Sequence, residues 1–486
     1  MYASEPGLGR ALALSILTVA IGLAATLLPL HAAAQAPAQS SGDAVASFGD
    51  EQLAAVARLV QSGGQPAGAT AATTLRDRVG AAVRIHPQAL AADASQRAAA
   101  EATRLTQAQA LPQLSISLDG GPRKTDASTV FDTPKRHYDS ASAAVTLRQT
   151  LFDQGANKAA VEAGRERESA IAWRAENRRA DLAVQAVQAW AEVLRQRERL
   201  RLSRLNVQAL EQMLDFLRRR EALGAGTQSD VWRAQARLAD ARGALASGEA
   251  RVISSEAAFR EAFGAEPGEL QAPLPPAYDR NQLREASNAL VLNNAALRSA
   301  EAARQSSEHE REAVDASEKP QVSVELNAAR RDIVGAGKPG NDVSALAALR
   351  YNFYSGGADD ARRAQARHRV TEAAEQARGV RMQVERALAQ SLAEEAAGDR
   401  VLAARREAAT QAALALRAVR ELFANRRGTL LELLAAQDGL HGAALQLIDA
   451  EAETVINQWR LLYFDDRIFA PALGLDRAPQ DAPRRP

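Results

Sequence analysis

Most of the chain places apolar residues at helical spacing, and in four short pieces the period falls to two. From Ala156 to Leu223 there is no proline and one internal glycine, Gly164. Within this stretch Val193, Leu200, Val207 and Leu214 stand seven apart, the period of helices that pack as a coiled coil. At ~1.5 Å per residue the stretch predicts a rod of roughly 100 Å. A lone rod of that length buries too little, so it must fold back on its successor and pack on neighbouring chains. Gly224-Ala225-Gly226 supplies the reversal. In the period-two pieces, Leu114, Ile116 and Leu118 alternate with Gln113, Ser115 and Ser117, and Ala143, Val145 and Leu147 oppose Ser142, Thr146 and Arg148. Such alternation fits a transmembrane barrel strand, and equally a half-buried soluble strand.

The pattern occurs twice. Pro112-Gln113-Leu114-Ser115-Ile116-Ser117-Leu118 returns 208 residues later as Pro320-Gln321-Val322-Ser323-Val324-Glu325-Leu326, and His86 pairs with Asn294 at the same offset. Leu151-Phe152-Asp153-Gln154-Gly155-Ala156 matches Phe353-Tyr354-Ser355-Gly356-Gly357-Ala358 at 202. That offset also relates Leu200 to Leu402, Leu214 to Leu416, Gly226-Thr227 to Gly428-Thr429 and Asp230 to Glu432. The change of offset falls between the two strands of each half, where a loop tolerates length changes. These loops are placed at about 119–136 and 327–341. In the second half Val343, Ala345, Ala347 and Leu349 alternate with polar neighbours, and a second turn lies at Asn425–Gly428. Each half thus reads helix, strand, strand, very long helix, tight turn, long helix. Four strands cannot close a membrane barrel, for which about eight is the minimum, so membrane strands here require several chains to share one barrel.

Composition narrows the function. Lys+Arg (60) and Asp+Glu (59) cancel, which gives no basic stripe for nucleic acid. Alanine dominates the apolar fraction and aromatics make up only 4%, as expected of long helices in close seams. There is no cysteine, which removes disulfides, Cys-ligated zinc, thiol catalysis and N-terminal lipid attachment. Arg10, an apolar run from Ala11 to Leu30 and Ala32-Ala33-Ala34 read as a signal peptide cut after Ala34; a retained anchor is the alternative. No two histidines stand at metal-ligand spacing, and neither a phosphate loop nor a nucleophile turn is present. Glu394-Glu395 reads as solvent-facing helix surface, and Trp173, Trp190, Trp232 and Trp459 as seam packing. No cofactor and no enzyme are expected. The chain divides into a signal peptide (1–34), a flexible segment (35–70), two repeats (71–281 and 282–475) and a flexible tail (476–486).

In order, spacing and duplication the motifs resemble the TolC-like outer-membrane factor family over about residues 70–475. The matching pieces are His86-Pro87, Leu111-Pro112-Gln113, Leu151-Phe152-Asp153-Gln154-Gly155, the Gly224…Thr227…Asp230-Val231 turn and Leu433-Leu434-Ala435-Ala436-Gln437. The resemblance implies a mostly α fold with a small β part, three chains sharing a twelve-stranded outer-membrane barrel, and a helical tunnel across the periplasm. It further implies a periplasmic adaptor and an inner-membrane transporter docking at the tunnel tip. Two departures stand out. Arg426 occupies a turn position where the family has glycine, and Ala435 replaces the second of two entrance acids, which leaves a single ring of Glu432.

The candidate entrance residues are Glu432, Asp230, Arg426 and Arg427. Three copies of Glu432 would raise one another's pKa; the plain alternatives are a solvated helix face and, for Asp230, a favourable place at a helix N-terminus. The arginines would pair with these acids or meet an adaptor. Gly224, Gly226, Thr227, Gly428 and Thr429 are the candidate adaptor-docking turns. Phe152 and Tyr354 are candidates for the lipid interface. The second-half motif Phe353–Asp359 is similar to members serving type I protein secretion, which makes an ABC transporter and an exported protein the first expectation. A proton-driven small-molecule efflux pump is the alternative, and a periplasmic coiled-coil scaffold without a pore is the alternative from another class.

Overall fold

A computed structural model of the protein describes residues 49–62, 69–125, 136–331, 333–334 and 340–475. The segments read as a signal peptide (1–34) and a flexible tail (476–486) lie outside these. Three helices come first: α1 (Asp50–Ser62), α2 (Ala69–Ile85) and α3 (Pro87–Ala108). Strands β1 (Gln113–Thr125) and β2 (Arg136–Phe152) lead into the rod α4 (Ala156–Ala222) and its return helix α5 (Gln228–Phe263). The second half follows in the same order: short α6 (Arg280–Glu285) and α7 (Ser287–Asn293), α8 (Ala295–Ser317), β3 (Gln321–Arg331), β4 (Gly340–Arg350), the rod α9 (Ala358–Ala424) and α10 (Leu430–Leu462), closed by α11 (Asp466–Ala472).

The duplication reaches the helix caps. His86 and Asn294, 208 apart, sit at φ/ψ of −64°/130° and −63°/131°. His86 Nδ1 accepts from the Gln88 amide at 3.2 Å, and Asn294 Oδ1 from the Ala296 amide at 3.0 Å. Two different side chains thus satisfy the same orphan donor. Both rods are 67 residues long, about 100 Å at ~1.5 Å per residue. The heptad positions Val193, Leu200, Val207 and Leu214 are all buried. Alanine and serine explain how close the seams run: the hydroxyls of Ser299 and Ser306 on α8 donate to the carbonyls of Ala170 and Ala163 on α4 at 2.7 and 2.8 Å. Side chains a heptad apart can reach a facing backbone only where that neighbour is small.

Two apolar clusters fill the bundle. One joins α1, α4, α5, α9 and α10 towards the helix turns. The other gathers Trp190, Phe259, Phe263, Trp459 and Phe469 around the link between the halves. There Trp190 Nε1 donates to the Gln271 carbonyl at 2.7 Å and Trp459 Nε1 to the Pro273 carbonyl at 2.6 Å. Burying an indole requires such a partner, so the two tryptophans tether the extended link.

The strands make one antiparallel sheet in the order β1-β2-β3-β4. Its register aligns the alternation across both halves. Leu114, Leu147, Leu326 and Ala345 form one row, and Ile116, Val145, Ala328 and Val343 the next. On the opposite face Ser115, Thr146, Asn327 and Ser344 align, with Thr146 Oγ1 donating to Asn327 Oδ1 at 3.1 Å. Leu118 is 79% and Val343 82% exposed, so no helix of the chain covers the apolar face. Among the described residues neither β1 nor β4 has a partner on its outer edge.

Several expectations need correction. The segment 35–70 is not flexible throughout: Asp50–Ser62 is helical, with Leu53, Ala55 and Val56 buried, because its apolar residues fall on one face. The strands run further than the alternation alone indicates. Gly120, Gly121 and Pro122 pair with Ala141, Ser140 and Asp139, since an edge strand accommodates proline. Glu395 does not face solvent. It is 3% exposed and held by Arg280 and the Tyr278 hydroxyl, the latter at 2.7 Å. Trp232 is 62% exposed and packs in no seam.

Candidate functional site at the helical tip

Each rod ends by reversing, and the two reversals lie together. A cavity of about 710 Å³ between them is lined by Gly224, Gly226, Thr227 and Asp230 from the first turn and by Arg426, Gly428 and Thr429 from the second. Glu432 and Arg427 lie outside its lining.

Both turns are built the same way. Ala225 N donates to the Arg220 carbonyl at 2.9 Å and Gly224 N to that of Glu221 at 2.8 Å. In the second turn Arg427 N donates to the Leu422 carbonyl at 2.8 Å and Arg426 N to that of Phe423 at 3.1 Å. This paired closure returns two orphan carbonyls to the ladder and places the residue after the cap in the left-handed region. Gly224 takes φ +67° there and Arg426 φ +60°. Arginine therefore adopts a conformation that glycine reaches freely and that costs a side-chain-bearing residue ~1–2 kcal/mol. The next glycine of each turn answers a need for space. A Cβ at Gly226 would lie 3.2 Å from the Glu221 nitrogen, and one at Gly428 3.1 Å from the Phe423 nitrogen.

The acids of the two turns are caps. The Thr227 side chain accepts from the Asp230 amide at 3.2 Å, and its hydroxyl donates to Asp230 Oδ2 at 2.8 Å. Thr429 and Glu432 form a full capping box: the Glu432 amide donates to Thr429 Oγ1 at 3.2 Å and the Thr429 amide to Glu432 Oε2 at 2.8 Å. Within one chain the backbone bond from Thr429 holds the Glu432 carboxyl below the usual range. No ion pair joins Arg426 or Arg427 to Glu432 or Asp230 among the described residues. The arginine that organises the tip is one the sequence reading missed. Arg220 Nε donates to the Ala225 carbonyl at 2.8 Å, and its guanidinium lies 5.7 Å from the centre of the Phe423 ring, bridging the hairpins.

At the other end of the rods, Phe152 is 53% and Tyr354 84% exposed where strand gives way to helix. Asp153 shapes the first junction by accepting from the amides of Gly155 and Asn157 at 3.0 and 2.7 Å. Among the described residues no cluster of acids and histidines is placed to hold a metal, and no helix is long and apolar enough to cross a membrane.

Comparison with known proteins agrees with this architecture. The chain is 24% identical over 352 residues to the outer membrane efflux protein BepC of Brucella suis biovar 1 (strain 1330), covering 71% of this chain and 76% of that protein. It is 29% identical over 174 residues to the proteases secretion protein PrtF of Dickeya chrysanthemi, covering 35% of this chain and 37% of that one. The crystal structure of the outer membrane protein VceC from Vibrio cholerae superposes with a TM-score of 0.71 at 17% identity, covering 81% of this chain and 96% of that one. Residues 80–265 and 286–463 match the model of the outer membrane efflux protein family. With three-quarters of its length so matched and its halves repeating strand pair, rod and return helix, the chain belongs to that TolC-like family of outer-membrane channels, conduits rather than enzymes, whose long helices extend into the periplasm.

Proposed function

We propose that three copies of the chain close a twelve-stranded barrel and a continuous helical tunnel, and that the resulting duct exports small molecules. The observation that carries this is the sheet. Its apolar rows are exposed, its polar rows face the other way, and among the described residues both edges lack partners. Strands of 11 to 17 residues meet the ~9–11 needed to cross a bilayer at a tilt. Only edge-to-edge closure with sister chains satisfies the backbone in lipid. The polar rows then face a water-filled lumen, and Phe152 and Tyr354 lie at the lipid interface.

The tip is the periplasmic entrance in this reading. Asp230, Glu432, Arg426 and Arg427 surround the aperture, and Gly224, Gly226, Thr227, Gly428 and Thr429 form the turns on which a periplasmic adaptor docks. A proton-driven or ABC transporter in the inner membrane supplies the energy. Efflux is preferred over type I protein secretion because the likeness to BepC extends over 76% of that protein, against 37% for PrtF. Secretion remains the second reading, favoured by the Phe353–Asp359 motif and the PrtF likeness.

The purified protein should be a detergent-soluble trimer by cross-linking and should conduct ions in planar bilayers. A monomer that needs no detergent would refute the duct. Deleting the gene should sensitise cells to toxic small molecules; loss of a secreted protein without sensitisation would favour the second reading.

A further inference from the structure

The tip carries one element that the duplication does not explain. α1 precedes the first repeat and has no mate in the second. It lies where α4 of the first hairpin meets α9 and α10 of the second, with Leu53 and Val56 buried against both hairpins. Polar ties fix it at the same level. Gln437 of α10 donates from Nε2 to Gln52 of α1 at 2.5 Å and to Asn206 of α4 at 2.9 Å, so one amide links three helices. Arg420 of α9, 4% exposed, donates to Asp50 at 2.8 Å. Arg420 stands six residues before Arg426, the left-handed arginine of the second turn.

We propose that α1 is a latch: it locks the two hairpins together above the turns and keeps the entrance shut, and its release lets the tip open. Helix α1 cannot follow both hairpins at once. Any separation of α4 from α9 and α10 bares the Leu53–Val56 face or strips Gln437 of an acceptor, and a buried amide without its partner is costly. The seam therefore has two discrete arrangements rather than a soft range. The closed arrangement is not perfected. Gln52 Nε2 is buried without a hydrogen-bond partner, and the second turn holds its arginine at φ +60°. The orphaned Gln52 amide weakens the latched state, because release returns that donor to water.

This rests on the tip being the duct entrance, and the test separates the two ideas. The chain has no cysteine, so Leu223→Cys with Asn425→Cys allows spin labels on the two turns, with labelled chains diluted among unlabelled ones. Val56→Asp should free α1, detected as trypsin cleavage after the exposed Arg58, and should lengthen and broaden the turn-to-turn distance. It should also raise bilayer conductance several-fold. Gln52→Cys with Gln437→Cys, joined by a short bismaleimide in a chain without the turn cysteines, should hold the conductance low, and serves as the test if Val56→Asp fails to fold. An unchanged distance with α1 demonstrably freed overturns the latch. Distances that respond in a trimer that never conducts leave the latch standing and overturn the duct.

Discussion

The two rods have equal length and matching caps, yet they are buried very differently. In α4, 22 of 67 residues are buried; in α9, 9 of 67 are. Helices α3, α5, α8 and α10 surround the first rod, whereas α8, α10 and α1 cover only part of the second. Their surfaces follow suit. Arg199, Gln212 and Arg220 of α4 have Val401, Leu414 and Leu422 as mates on α9, each about half exposed. Arg199 pairs with Asp449 at 2.5 Å inside the chain; its mate Val401 is left half exposed. Duplication copied the length and the heptad. It left the copies free to diverge into a well-covered rod and one that keeps an exposed apolar stripe, the surface on which the proposed trimer would pack.

The largest expected effect tests that difference in burial. Trp190 on α4 is 2% exposed, while its mate Leu392 is only partly buried. Trp190→Ala should cost ~3–5 kcal/mol, and Leu392→Ala ~1–2. Thermal melts followed by circular dichroism would show it, and equal losses would mean the rods are equivalent after all.

A smaller effect is set by acid. Burial, aided by nearby Arg199, holds His441 of α10 down to about 4 from its ordinary 6.5. Its mate in the first half is Ala239. The unfolded chain takes up that proton at a higher pH than the folded one, so stability is complete above pH 6.5 and declines as pH falls towards 4. His441→Gln should remove ~2–3 kcal/mol of that decline. Melting temperatures across this window decide it, and an unaltered slope would place the sensitivity elsewhere.

The smallest effect concerns the turns. Arg426→Gly should stabilise the protein by ~1 kcal/mol, and Gly224→Ala should destabilise it by a similar amount. Chemical melts of the two variants should move in opposite directions. A loss from Arg426→Gly would show that the guanidinium makes contacts worth more than its backbone strain.

Much of this was legible because it is periodic. The rods, the strand pairs and the two turns follow from spacings of seven, two and 202 residues, which a one-dimensional reading detects. What it missed depends on distant pairs. Glu395 stands where its mate Val193 is apolar; it looks solvent-facing until Arg280, 115 residues earlier, is brought beside it. Helix α1 is a 13-residue piece of pattern in a stretch rich in Gln, Ala, Ser, Gly and Pro, and its partners lie 370 and 385 residues away. At the tip, Asp230 and Glu432 were found by their repeat positions. The helix N-terminus was already a reading for Asp230, and the capping bonds give both acids such a local engagement.

The bare margins of the sheet also govern how the protein is made. A solitary chain has no stable resting place in hydrocarbon, because the outward amides and carbonyls of Gln113–Thr125 and Gly340–Arg350 would lie there unmet. In the proposed trimeric duct, sister chains have to find one another before or during entry into the bilayer, and the rate of insertion should climb more steeply than linearly with the concentration of newly made protein.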